Sequence, residues 1–210
     1  MKENYYNTII GPQKQEMLIY LKSLRPYFIL TCILFLLGIM AGYLFAIYQL
    51  DIVNELMNEF QKKVDSVAGA SQFELMLFIF SNNAMVNFVL IFSGIFFGIL
   101  SILIILTNGI LIGIVFFQFA SQYGFLLVFI TLIPHGIIEL PITFVSASIG
   151  MKLGLRTFQK LFQIKHVDLK YEFLNAIKVY FVVILPLIFI AAIIETYVTS
   201  AVLDFLLSIN

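Results

Sequence analysis

Residues 27–49 read YFILTCILFLLGIMAGYLFAIYQ, a run without a charged side chain. A helix rises 1.5 Å per residue, so about 20 apolar residues cross the ~30 Å hydrocarbon layer of a bilayer. This run is long enough. A signal peptide is the competing reading, but its apolar core spans only about 7–15 residues and ends at a small-x-small cleavage site; no such site is evident here. The composition extends the argument to the whole chain. Of 210 residues, 61% are hydrophobic and 11% charged, and mean hydropathy is +1.04. A soluble domain carries about 25% charged residues and needs them to cover its surface. Too few are present here, so lipid must replace water around most of the fold. The fold class that follows is all-α, a polytopic transmembrane helix bundle of about five spans with amphipathic interfacial helices.

Working outward, residues 1–26 form the polar segment before the first span. Met17, Leu18, Leu21 and Leu24 beside Lys14, Lys22 and Arg25 predict a short basic amphipathic helix on the cytoplasmic membrane surface. Residues 27–210 form the transmembrane domain. In residues 50–73, Ile52, Leu56, Phe60 and Val64 recur every fourth position, opposite Asp51, Glu55, Glu59, Lys62 and Asp65. That pattern predicts an amphipathic helix too charged to span. Further spans are expected at about 84–106, 109–133, 135–154 and 178–195, with a turn at Asn108-Gly109 and a basic loop at 155–177. The stretch 109–154 divides either at Ser121–Gly124 or at Pro134-His135-Gly136. The second division is favoured because it makes both helices long enough to cross. The tail 196–210, with Val198, Val202, Phe205 and Ile209 around Asp204, reads as interfacial.

Net charge is zero and says nothing about partners, but its placement sets orientation. Of twelve Lys and Arg, four precede the first span and six lie between 152 and 178. Under the positive-inside rule both segments are cytoplasmic, which demands an even number of crossings between them, and the four expected spans fit. The N-terminus is then cytoplasmic and the C-terminus outside, in a multi-pass plasma-membrane protein.

Glycines supply the first functional pattern. Gly38/Gly42, Gly94/Gly98, Gly109/Gly113 and Gly150/Gly154 are G-x-x-x-G pairs, one on each of the first four expected spans. Spacing of four puts both glycines on one helix face, where a neighbouring backbone can approach. Packing within one bundle and homodimerisation are both open readings. The second pattern is ionisable. His135 and Glu139 stand at i and i+4, and with Asn82, Asn83, Asn87 and Glu195 they make a candidate intramembrane polar cluster near the outer face. Structural hydrogen bonding, ligand or proton handling, and catalysis are the competing uses. Gln118, Ser121 and Gln122 are expected to line an interior helix face.

No G-x-S-x-G, H-E-x-x-H or P-loop sequence occurs, so no catalytic residue is assigned. No metal or cofactor is expected, because a His–Glu pair alone lacks further ligands. Cys32 is the single cysteine and has neither a disulfide partner nor redox spacing. The basic loop is accounted for by orientation and gives no nucleic-acid footprint.

Several of these elements together resemble one family. Ser81-Asn82-Asn83, Gly94-x3-Gly98, Asn108-Gly109 with Gly113, Pro134-His135-Gly136-Ile137-Ile138-Glu139 and Ile190-Ala191-Ala192-Ile193-Ile194-Glu195-Thr196 follow the order and spacing of the stage II sporulation protein M family, from about 75 to 200. The resemblance implies a multi-span protein. In spore-forming bacteria the family's namesake works in the septal membrane as a scaffold, with the stage II D and P proteins that remodel peptidoglycan. Relatives also occur in organisms that do not sporulate. The expectation is a non-catalytic scaffold that positions partner proteins in the membrane or outside it, possible homodimers included. A transporter, channel or lipid-handling protein using the polar cluster is the alternative, and an intramembrane enzyme is the second.

Overall fold

The computed structural model describes residues 11–67 and 69–199, with side chains at 11–14, 60, 61, 63–67, 122, 123, 126–135, 198 and 199 left aside. The ends of the expected N-terminal segment (1–10) and interfacial tail (200–210) lie outside the described residues. Every regular element among the described residues is a helix. In order, the helices are α1 (Gly11–Ser23), α2 (Arg25–Tyr48), α3 (Leu50–Val67), α4 (Gln72–Phe92), α5 (Ile99–Tyr123), α6 (Phe125–Leu161), α7 (Leu169–Val179) and α8 (Leu185–Ile193). A 3-10 turn, Ser93–Phe96, extends α4. Wider π-helical turns at Tyr180–Ile184 and Ile194–Thr199 link α7 to α8 and extend α8, so these pieces form one rod.

Local chemistry sets several boundaries. Pro26 sits in the first turn of α2, where its missing N–H costs nothing. Ser71 and Glu74 form a reciprocal capping box at the start of α4, with Oγ accepting the Glu74 N–H at 3.3 Å and Oε2 accepting the Ser71 N–H at 2.8 Å. Asp168 caps α7 by accepting the Tyr171 N–H at 3.0 Å. Between α4 and α5 the chain reverses through Phe97 and Gly98, with φ of 57° and 74°. Gly124, with φ of 83°, makes the break between α5 and α6. Both glycines adopt conformations that a Cβ disfavours.

Five helical segments are long and apolar enough to cross a membrane: Arg25–Tyr48, Gln72–Phe96, Ile99–Ser121, Gly136–Leu161 and Leu169–Tyr197. The expected number holds, but the divisions move. Asn108-Gly109 is not a turn; it lies within α5. Inside a bilayer, opening backbone hydrogen bonds is so costly that an Asn-Gly signal borrowed from soluble proteins loses its force. The break is not at Pro134-His135-Gly136 either, since α6 runs through both Pro134 and Pro141. With 37 residues α6 is about 55 Å long, so it crosses and projects beyond the hydrocarbon. The second span starts well before residue 84, and the last well before 178.

Two helix pairs form the bundle's frame: α2 lies along α5, and α4 with its 3-10 turn lies along α6. The C-terminal rod packs on α4 and α6. The Gly136–Leu161 span is the centre. Over half of its most apolar stretch is buried, against a third or less in the other spans, and its mean hydropathy of 1.3 is the lowest of the five. A helix shielded from lipid by its neighbours can carry polar side chains, and this one does. Lipid-facing positions on the outer helices are apolar, including Leu36, Met40, Phe96, Leu103 and Phe181.

The outlying helices are also docked. In α1, Tyr20, with Leu24 just beyond the helix, enters the main core beside Ile91, Ile149, Val179 and Ile184, while Leu18 and Ile19 face outward. α3 returns against the far end of α5, burying Val53 with Ala46 and Ile114. Its Ile52 and Leu56 stay exposed.

Candidate functional site

A cavity of about 200 Å³ lies where the two helix pairs abut. Its wall comes from four helices: Phe35 of α2; Asn82, Asn83, Val86 and Asn87 of α4; Asn108, Leu111 and Ile112 of α5; Glu139, Leu140 and Thr143 of α6. Three of the expected asparagines and Glu139 therefore do converge. Phe35, Asn87 and Asn108 each stand near the middle of their spans, and Glu139 near the start of its own. Asn87 and Glu139 are 3% and 5% exposed. The Asn87 Nδ2 donates to the Asn83 carbonyl at 2.8 Å, one turn back on the same helix.

Other expected members fall elsewhere. Glu195 is half-buried and does not line the cavity among the described residues, although its π-helical turn packs against α4 and α6. His135 lies one turn before Glu139 on the continuous α6, and its side chain is outside the described residues. Gln118 and Ser121 do not face an interior. Gln118 meets Asn54 of α3 at 3.5 Å, and Ser121 Oγ donates to its own helix at Phe117 O. Asn108 and Thr143 are cavity residues that sequence reasoning missed, the first because it reads as a turn and the second because nothing flags a lone threonine.

The glycine pairs close two seams. A Cβ placed on Gly38 would come 2.7 Å from the Leu106 carbonyl oxygen, and one on Gly109 would come 2.5 Å from that of Phe35. At Gly42 and Gly113 it would overlap the carbonyls of Ile110 and Ile39 outright. The second seam repeats this. Gly94 meets the Gly150 carbonyl, Gly150 meets that of Leu90, and Gly154 meets the backbone of Phe97 and Gly98. Hydroxyls stitch the second seam: Ser93 Oγ and Ser101 Oγ lie 2.8 Å apart and 3.0 and 2.9 Å from the Leu90 carbonyl oxygen, so one hydroxyl donates to the other and the second to the carbonyl.

A third feature stands at the opposite end from α3. Lys152 Nζ contacts the Glu172 carboxylate at 2.8 Å, Arg156 Nε reaches its other oxygen at 3.3 Å, and both Lys152 and Glu172 are buried. Lys152 Nζ also donates to Ser23 Oγ at 2.9 Å and sits 4.0 Å above the Tyr20 ring. One ammonium thus ties α1, α6 and α7 together. Burial, with the Glu172 charge behind it, raises the Tyr20 pKa and keeps the phenol protonated. Lys152 and Arg156 stand at i and i+4, which was a readable sign of a shared partner; Glu172 gave none.

Five membrane-length spans, four of them packed around a half-polar fifth, define a multi-pass α-helical membrane protein. The particular family is shown by comparison: the profile of stage II sporulation protein M matches residues 31–200, and the chain belongs to that family. It is also similar to an uncharacterized protein of Methanocaldococcus jannaschii, 28% identical over 181 residues, which cover 86% of this chain and 97% of the relative. No solved structure matches.

Proposed function

We propose that the chain is a non-catalytic membrane scaffold that holds partner proteins in the membrane or just outside it. Family membership gives the prior, and the observation that carries the reading is the closure of both glycine seams within one chain. Four helices whose backbones touch make a preformed body, because close-packed interiors are bistable and not continuously deformable. The buried Lys152–Glu172 pair fixes its basic end. A second copy would have to pack outside these seams, on the lipid-facing ridges or the outlying helices. Ser23 bonded to Lys152 supports placing the basic N-terminal segment and the basic loop at one end, which the positive-inside rule assigns to the cytoplasm. α3, with Ile52 and Leu56 exposed, then faces outside as the docking helix. Photocrosslinking from Ile52 and Leu56 in native membranes should give one recurrent protein adduct, lost on Leu56→Glu, with Leu36 giving lipid adducts only. Hydrolysis of a lipid or cell-wall polymer by the purified protein, abolished by a point substitution, would overturn the reading.

A further inference from the structure

An apolar groove of about 310 Å³ opens at the basic end of the bundle, and scaffolding does not use it. Leu30 of α2, Phe97 and Ile102 around the start of α5, and Met151, Leu155 and Phe158 of α6 make its wall. Met151 is buried, while Leu30, Phe97, Leu155 and Phe158 are exposed. Among the described residues of the wall, Tyr27 alone carries a side-chain hydrogen-bond donor. Helix register places that phenol. Thr31 of α2 meets Ser148 and Met151 of α6 at 3.5 and 3.8 Å, and Phe35, one turn on, meets Phe144, so the two helices run antiparallel. Tyr27, one turn before Thr31, therefore stands opposite Leu155, close enough to Arg156 and Glu172 to feel both charges.

These facts select an occupant. From Met151 to Phe158 the groove runs about 10 Å, too short a track for a partner helix about 10–12 Å across but enough for part of an acyl chain. The charge beside it selects the headgroup. Lys152 and Arg156 share one carboxylate, Glu172, which leaves a surplus positive charge. Lys152 is buried and engaged with Glu172, Ser23 and the Tyr20 ring. The surplus therefore reaches the surface through Arg156, whose side chain is 34% exposed. Its Nε lies 3.3 Å from Glu172 without the alignment of a hydrogen bond, and Nη1 donates to Gln159 Oε1 at 3.1 Å. A guanidinium has five N–H donors in a planar fork that matches a phosphate, so donors remain for one. A basic site beside an apolar groove between spans suits an acidic phospholipid.

We propose that this groove binds one acidic phospholipid, with an acyl chain over Met151 between Leu30, Leu155 and Phe158 and the phosphate on the Arg156 guanidinium and the Tyr27 hydroxyl. The site goes beyond the scaffold reading, and its failure would leave that reading standing.

The test is native mass spectrometry of the full chain in detergent, titrated with phosphatidylglycerol or with phosphatidylcholine of the same acyl chains. One phosphatidylglycerol per chain should bind about fivefold more tightly than phosphatidylcholine, the preference expected of one basic residue. Arg156→Gln should bring that ratio to about one, and Arg156→Lys should keep most of it. Leu155→Trp, which fills the groove from an exposed position, should weaken the first adduct of both lipids several-fold. Lys165→Gln, in the exposed loop, should change neither. If Arg156→Gln does not fold, Leu155→Trp and Tyr27→Phe carry the test, the latter expected to weaken phosphatidylglycerol binding several-fold. Equal binding of the two lipids by the wild type overturns the proposal. So does a first adduct unchanged by Leu155→Trp, or a preference lost as fully in Lys165→Gln as in Arg156→Gln, which would assign it to diffuse surface charge.

Discussion

Consider alanine placed at Gly42 and, separately, at Gly136. Both glycines lie in helices of the bundle, yet their surroundings differ. A Cβ at Gly42 would overlap the Ile110 carbonyl, while at Gly136 the nearest atom among the described residues is Leu140 Cδ1 at 3.8 Å. At Gly38 the corresponding contact is 2.7 Å, so restoring ordinary van der Waals distance moves α2 and α5 apart by roughly 0.5–1 Å. A gap of that size forfeits a quarter to a half of the dispersion energy of each contact along the seam. The obstructing atoms are backbone and cannot rotate away. Overpacking of this kind costs about 1–3 kcal/mol, sometimes more, offset by about 0.5–1 kcal/mol from replacing glycine in a helix. Gly42→Ala and Gly113→Ala should therefore destabilise by about 1–2 kcal/mol, and Gly38→Ala somewhat less. Gly136→Ala should be neutral or stabilising. For a chain of this length, 1 kcal/mol moves the unfolding temperature by about 2–4 °C, which thermal unfolding in detergent resolves. Equal shifts at Gly42 and Gly136 would refute the seam. A dimer dissociated by Gly42→Ala, with the unfolding temperature unchanged, would assign the glycines to a contact between copies instead.

Three further outcomes are expected. Lys152→Met should cost about 3–5 kcal/mol by leaving the Glu172 carboxylate buried against Arg156 alone, and the double variant Lys152→Met/Glu172→Leu should recover most of that in the same unfolding assay. Because the folded Tyr20 phenol has a raised pKa, its contribution to stability is complete below the unfolded value of about 10 and is lost as pH rises beyond it. Tyr20→Phe should accordingly flatten the alkaline limb of a stability-versus-pH curve, and an unchanged limb would place the phenol in solvent. In a Cys32→Ser background, a cysteine at Lys62 should react with an impermeant maleimide from outside intact cells and one at Lys165 only after permeabilisation; the reverse pattern would invert the topology.

Much of the fold is legible because lipid-facing helices must be apolar throughout, and α2 is the clearest case, matched almost residue for residue by the run 27–49. The central helix is the hard one for the same reason. α6 is wrapped by its neighbours, so Ser146, Ser148 and Lys152 can be buried in it, and a hydropathy reading makes it short and polar at the end. Pro134 and Gly136 then attract the break that Gly124 makes. Lys152 shows a second limit. Counting it as an orienting charge captured which end it occupies but not that Glu172, one of two acids in a basic stretch, is its partner.

The glycine spacing shows that backbones will touch, yet it does not say which helices meet. Once α2 pairs with α5 and α4 with α6, the rest follows from geometry. Each seam brings two backbones together at glycine, so the larger side chains of both pairs turn toward the space between them. Phe35 and Asn108 approach from one pair, and Asn87, Glu139 and Thr143 from the other. The polar residues in the sequence thus mark where close packing stops, and the cavity is the remainder left between two tight seams.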